Sequence, residues 1–270
     1  MGYFDALLLA VLQGLTEFLP VSSSGHLVLA QYFFGRSGEI DLLYNVALHV
    51  ATGVALLIYF RQDLIALWTG LTRPSQASKS VFSGYEKQTL GYIVLALMPT
   101  AVVGLFIDKV LISLLARPDV VGCMLFITGA FLWLGRGRQR QHRTAPMRST
   151  DALVIGLLQG LAVTPGISRS GVTITGGILL GLDREFAARF SLLISVPAIL
   201  GATILQVSKL ETHALPPFGP YVAGMIIAGL VGYAAIALTL RLVQQDRFYL
   251  FAWYLWPLGS LLSAGSYVFS

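Results

Sequence analysis

The chain has 270 residues, of which 56% are hydrophobic and only 11% charged, with a mean hydropathy of +0.75. A soluble domain carries about a quarter charged residues, so this composition excludes an ordinary soluble fold and points to a lipid bilayer. In such a chain the formal charge of +5 reports asymmetry between loops rather than a nucleic-acid partner, which nothing in the sequence indicates.

Met1 to Asp5 lack the positive segment of a cleaved leader, so the start of the chain is expected to be retained. Region 5–35 is apolar at both ends but broken by Pro20 and by Ser22 to Gly25. Proline removes a backbone donor and disfavours helix before it, which predicts helix, break, helix, and we read the region as a re-entrant hairpin. Three stretches follow at 42–60, 88–107 and 120–135, each near the roughly 20 apolar residues a spanning helix needs; the third is short, and Arg136 can snorkel to extend it. Its one cysteine, Cys123, cannot form an internal disulfide and reads as a small core residue. Beyond a basic linker at 136–150, region 152–182 repeats the hairpin pattern, broken by Pro165-Gly166 and by Ser168 to Gly171. Asp183-Arg184-Glu185 then reads as a helix cap, followed by spans at 190–208, 218–240 and 248–270.

The two broken regions echo each other. At an offset of 146 positions, the segment QGLTEFLPVSSSGH (13–26) matches QGLAVTPGISRSG (159–171) at Gln13/Gln159, Gly14/Gly160, Ser22/Ser168, Ser24/Ser170 and Gly25/Gly171. The same offset aligns YNVALHV (44–50) with FSLLISV (190–196). The expected fold is therefore an all-α integral membrane domain over 1–270, with six transmembrane helices and two re-entrant hairpins arranged as inverted repeats. The first repeat is 1–135 and the second 151–270; an odd number of spans in each turns the second upside down. With Arg169 set aside, thirteen Lys and Arg fall on the side of the 136–150 linker against four opposite. The positive-inside rule then puts that linker in the cytoplasm and both termini outside.

Charged and reactive groups at membrane depth need a reason, because a central carboxylate costs roughly 2.5–3.5 kcal/mol on insertion scales. Glu17 closes the first hairpin helix and is expected to face an interior cavity. Ser22, Ser23, Ser24 and Gly25 look like a helix start, where free amides and the dipole make a phosphate seat. Ser23 and His26 are three apart on one helical face, so the imidazole is expected to accept the serine proton. Arg169, between Ser168 and Ser170 at the second break, can hold two phosphate oxygens, or else pair with Glu17. Thr173 can add a hydroxyl, though membrane threonines often bond their own backbone. His49 reads as a packed or hydrogen-bonded group, Trp253, Tyr254 and Trp256 as anchoring or packing aromatics, and His142 and His213 as loop residues.

Gln13 to His26 and Pro165 to Gly177 resemble the motifs of the bacterial undecaprenyl-diphosphatase family, the bacitracin-resistance type of integral membrane phosphatase. The similarity extends to length and span order. It implies removal of the terminal phosphate from undecaprenyl diphosphate outside the inner (cytoplasmic) membrane, recycling the carrier lipid for cell-wall synthesis. It implies functional roles for Glu17, Ser23, His26 and Arg169, with Gln13, Ser22, Ser24, Gly25, Ser168, Ser170 and Thr173 around the substrate. It also implies a divalent cation, Mg2+ or Ca2+, for which Glu17 is the candidate ligand. Gln13 stands where the family often has glutamate, which weakens a paired-carboxylate site. Expected partners are an isoprenoid diphosphate lipid, membrane lipids and a second copy in a homodimer. The competing expectation is a flippase or transporter of phosphorylated isoprenoid or another anion, since broken helices meeting at an anion site also serve transport.

Overall fold

The computed structural model describes residues 2–33, 42–72, 80–115, 117–137, 147–208 and 218–268. Arg36, Arg73, Lys79, Arg138, Arg140, His142, Arg143, Lys209, His213 and most of the 136–150 linker lie outside the described residues. Among the described residues the fold is all-helical, without strands.

The first broken region forms α1 (Tyr3–Phe18) and α2 (Ser23–Phe33), and the second forms α8 (Ser149–Leu161) and α9 (Arg169–Leu179). Between them run α3 (Leu42–Tyr59), α4 (Arg61–Thr72), α5 (Glu86–Phe106), a π-turn at Ile107–Leu111, α6 (Ile112–Leu115) and α7 (Pro118–Leu134). After α9 come α10 (Arg184–Val207), α11 (Phe218–Gln244), a 3₁₀ turn and α12 (Ala252–Val268). Four helical stretches, Leu42–Tyr59, Glu86–Leu115, Arg184–Val207 and Phe218–Gln244, are long and apolar enough to cross a bilayer, and α7 and α8 are shorter apolar helices. This is a multi-pass membrane protein.

Three sequence expectations need correction. Helix α4 went unforeseen: its chain turns at the fully buried Phe60, and Asp63 in its first turn accepts hydrogen bonds from Ser80 and Arg189. The second span does not stop at 107 but continues through the π-turn to Leu115. Cys123 is exposed on α7 rather than in the core. The cap at Asp183 is as expected, its carboxylate accepting from the amides of Glu185 and Phe186.

What holds the broken helices is close helix–helix approach. Helix α1 packs along α11, and α8 along α5. Gly14 and Gly160, one offset apart, make both contacts: a β-carbon at Gly14 would lie 2.9 Å from the Ala228 carbonyl oxygen, and one at Gly160 would lie 2.9 Å from Val103 Cβ. Small residues at such crossings let backbones approach where water provides no drive for association. Phe18, Leu56, Leu125, Ile155, Ile174 and Phe190 are fully buried, whereas Val102, Ile204, Phe218 and Leu230 lie exposed on outer faces. Apolar residues thus fill the interior and also face outward, as a lipid environment requires.

Candidate active site

Both breaks end in the same local device. Ser22 Oγ accepts from the amide of Gly25 at 3.3 Å, and Ser168 Oγ accepts from the amide of Gly171 at 3.2 Å. Each is the hydroxyl-to-third-amide bond of a helix N-cap. Each serine also contacts the hydroxyl two residues on, Ser22 with Ser24 at 3.2 Å and Ser168 with Ser170 at 3.3 Å.

The breaks meet. The amide of Gly166 donates to Ser22 Oγ at 3.1 Å, and Ser170 Oγ donates to the Leu19 carbonyl at 3.3 Å. Gly166 has φ +92°, and a β-carbon there would strike the Val121 carbonyl, so only glycine fits the turn. Ser22 adopts φ 66°, an uncommon left-handed conformation for a residue with a side chain. Thr128 Oγ1 donates to the Gly166 carbonyl at 3.0 Å and accepts from the Ser168 amide at 3.2 Å, while Thr239 Oγ1 donates to the Phe18 carbonyl at 3.1 Å. Protein side chains thereby satisfy backbone groups that helix breaks free, as irregular backbone at membrane depth demands.

Around this junction the sequence-selected residues gather. Glu17 is 8% exposed and sits in the last turn of α1, where the helix dipole disfavours a carboxylate. Its Oε1 accepts from the Arg169 guanidinium at 2.5 Å; its Oε2 accepts from Ser23 Oγ at 2.8 Å and from Gln13 Nε2 at 3.0 Å. Arg169 opens α9 and also reaches the Ser195 carbonyl at 3.5 Å. Thr173 turns its hydroxyl onto the Arg169 carbonyl at 2.8 Å, bonding its own helix.

Two departures matter for chemistry. Ser23 and His26 share a face of α2, yet the structure does not pair them: Ser23 donates to Glu17, while His26 contacts the Ser22 carbonyl through Nδ1 at 2.9 Å and the Tyr254 hydroxyl through Nε2 at 2.7 Å. The second is His49, whose Nε2 lies 3.8 Å from Glu17 Oε2 and whose Nδ1 contacts the Asn45 carbonyl at 2.9 Å. Sequence reasoning gave neither Tyr254 nor His49 a place at the site. For His49 a signal existed, a titratable group in an apolar span at the position aligned with Ser195; for Tyr254 none did, since an aromatic near a helix end reads as an anchor. The aromatic expectation does hold for its neighbours, with Trp253 and Trp256 packed on Trp133 at ring distances of 5.6 Å.

The donor set does not suit a resident divalent cation. Among the described residues no three His, Cys, Asp or Glu come together, and both Glu17 oxygens are engaged by Arg169, Ser23 and Gln13. The oxygen left over is Gln13 Oε1, buried without a hydrogen-bond partner and neutral. A hard dication needs six or more oxygen ligands with balancing charge.

An acid, a hydroxyl and a guanidinium within hydrogen-bond distance, beside two helix starts, can bind a phosphoryl group and offer it a nucleophile. Comparison with known proteins gives the family. A curated undecaprenyl-diphosphatase of Desulfosudis oleivorans is 44% identical over 97% of both chains. Proteins of the same name from Desulfatibacillum aliphaticivorans (38% identical, 99% of this chain and 100% of the relative) and Carboxydothermus hydrogenoformans (38%, 96% and 95%) match as fully. The family model described as bacitracin resistance protein BacA matches residues 6–261, nearly the whole chain, and this chain belongs to the BacA family.

Proposed function

We infer that this chain is a membrane phosphatase that hydrolyses undecaprenyl diphosphate to undecaprenyl phosphate and inorganic phosphate. Membership of the BacA family and end-to-end similarity to proteins named undecaprenyl-diphosphatase support the activity and its substrate. The observation that carries the chemistry is the Ser23–Glu17–Arg169 cluster, a hydroxyl already donating to a carboxylate whose second oxygen is held by a guanidinium. A transporter needs no such nucleophile and acceptor.

In the reading we favour, the terminal phosphate draws the Arg169 guanidinium onto its oxygens, and the first-turn amides of α2 and α9 complete the seat. Removing Arg169 from Glu17 makes that carboxylate a better proton acceptor. Ser23 Oγ then bonds to the terminal phosphorus and its proton passes to Glu17. The bond from that phosphorus to the bridging oxygen breaks, its electron pair staying on the bridging oxygen, which takes a proton drawn from His26, an imidazole whose charged form the bound phosphates favour. Water next attacks the phosphoserine, giving a proton to the now neutral His26, while Ser23 recovers its proton from Glu17 and inorganic phosphate leaves. Charge stabilisation and alignment supply most of the rate, as phosphoryl transfer requires. A divalent cation taking part in the reaction would draw its ligands mainly from the diphosphate.

The architecture we propose around this site is two inverted repeats, 1–135 and 151–270, each a re-entrant hairpin with three spans. Helices α2 and α9 have 11 residues each, about 17 Å at 1.5 Å per residue, against the roughly 30 Å hydrocarbon core. Too short to cross, they suit hairpins that return to their own side. The reciprocal packing of α1 on α11 and α8 on α5 supports the duplication. The basic bias of the 136–150 linker supports a cytoplasmic linker, outward termini and a site open to the extracytoplasmic side of the inner membrane.

The test is phosphate release from undecaprenyl diphosphate by the purified protein in detergent. Release is expected; none under conditions where the protein remains folded would overturn the assignment.

A further inference from the structure

The Ser22 carbonyl can only accept, so His26 Nδ1 carries a proton and Nε2 is the nitrogen that gains and loses one. Nε2 does not face Ser23. It lies 2.7 Å from the hydroxyl of Tyr254, 228 residues away on α12, and the two rings stack with centroids 5.7 Å apart and 17° between planes. His26 is 8% exposed but Tyr254 is 48% exposed, on the outer face of an apolar helix beside the equally outward Trp253 and Leu250. The pair therefore reaches from the polar junction to the exposed face of α12. With the isoprenoid tail of the substrate lying against that apolar face, the phosphate nearer the tail would lie on the His26 side, and the terminal phosphate toward Ser23 and Arg169.

We propose that Tyr254 serves the hydrolysis through His26: its hydroxyl holds Nε2 on the outer side of the junction, away from Ser23, and gives its own proton to the bridging oxygen as it takes the one on Nε2. A hydroxyl suits this task in both halves of the cycle, since it accepts from Nε2–H when the imidazole is charged and donates to Nε2 when it is neutral. The ring need not turn as the proton comes and goes. The rotamer of His26 is thus set by a residue of the last helix, which explains why its proximity to Ser23 along α2 does not become a hydrogen bond.

The proposal rests on the assignment of His26 to the leaving phosphate, and the test separates the two. Tyr254→Phe keeps the stacked ring and removes the hydroxyl. In purified full-length protein its kcat for phosphate release from a long-chain isoprenyl diphosphate is expected to fall about tenfold, a fraction of the 10²–10⁴ typical of positioned acid–base groups, with KM and Tm near wild type. An unchanged kcat, or a fall in Tm that accounts for the loss, overturns the role of Tyr254. His26→Gln reports on the assignment beneath it: if His26→Gln leaves kcat intact, that assignment fails, whereas a slow His26→Gln beside a fast Tyr254→Phe removes only Tyr254. Combined in one chain, the two changes are expected to slow the enzyme no further than His26→Gln alone; additive losses would mean the residues act independently and overturn the proposal.

Discussion

The two helix breaks share a scaffold and differ in chemistry. Ser22 and Ser168 cap α2 and α9 in the same way, Ser24 and Ser170 repeat the same hydroxyl contact, and Gly14 and Gly160 seat the preceding helices on their neighbours. At the same offset, however, Glu17 faces Val163, Ser23 faces Arg169, His26 faces Val172 and His49 faces Ser195. The first half carries the acid, the alcohol and the imidazoles; the second contributes the cation. Backbone features that build an anion seat are retained in both, whereas reactive groups are divided. One phosphoryl group needs one nucleophile and one counter-charge, and two copies of either would bring like charges together in a site with little water.

The sharpest way to break this comparison is at Ser23, the first half's counterpart of Arg169. Ser23→Ala is expected to lower kcat by about 10³-fold or more, the scale on which loss of a nucleophile is felt. Rapid quench with substrate labelled at the terminal phosphate should trap label on the wild type and none on the variant. Activity within tenfold of wild type would hand the attack to water and leave Ser23 as a binder.

Arg169→Lys tests the second half's contribution next. It keeps the positive charge but loses the fork that can hold two phosphate oxygens at once, and we expect kcat/KM to fall by about 10². A near-normal lysine variant would reduce the second break to a source of charge alone.

The smallest effects concern what the halves share. Ser168→Ala removes one cap, worth about 1 kcal/mol, whereas Ser22→Ala removes the equivalent cap and also the bond from Gly166 that ties the breaks together. Thermal unfolding in detergent should therefore place Ser22→Ala below Ser168→Ala. The reverse order would mean that the junction is held by the close glycine contacts and not by Ser22.

Much of this could be read before any coordinates. Long apolar runs give helices because lipid offers the backbone no partner, and Pro20, Pro165 and Gly166 mark the breaks because proline lacks a donor and glycine tolerates φ above zero. Glu17, Ser23, His26 and Arg169 stood out because polar groups at depth are costly. Helix α4 escaped, since a short helix after a turn at Phe60 carries no break residue. So did Tyr254, which looks from its neighbours like one more interfacial aromatic.

What the sequence determined by itself was therefore the inventory: a membrane chain, two polar breaks 146 positions apart, and the residues with chemistry to offer. Only the tertiary structure decided who pairs with whom. Spacing along a helix says that Ser23 and His26 share a face, but a hydrogen bond needs about 3 Å and a matched direction. Those directions come from Glu17 on α1, Arg169 on α9 and Tyr254 on α12, helices that packing, and not neighbourhood in the chain, brings to one point.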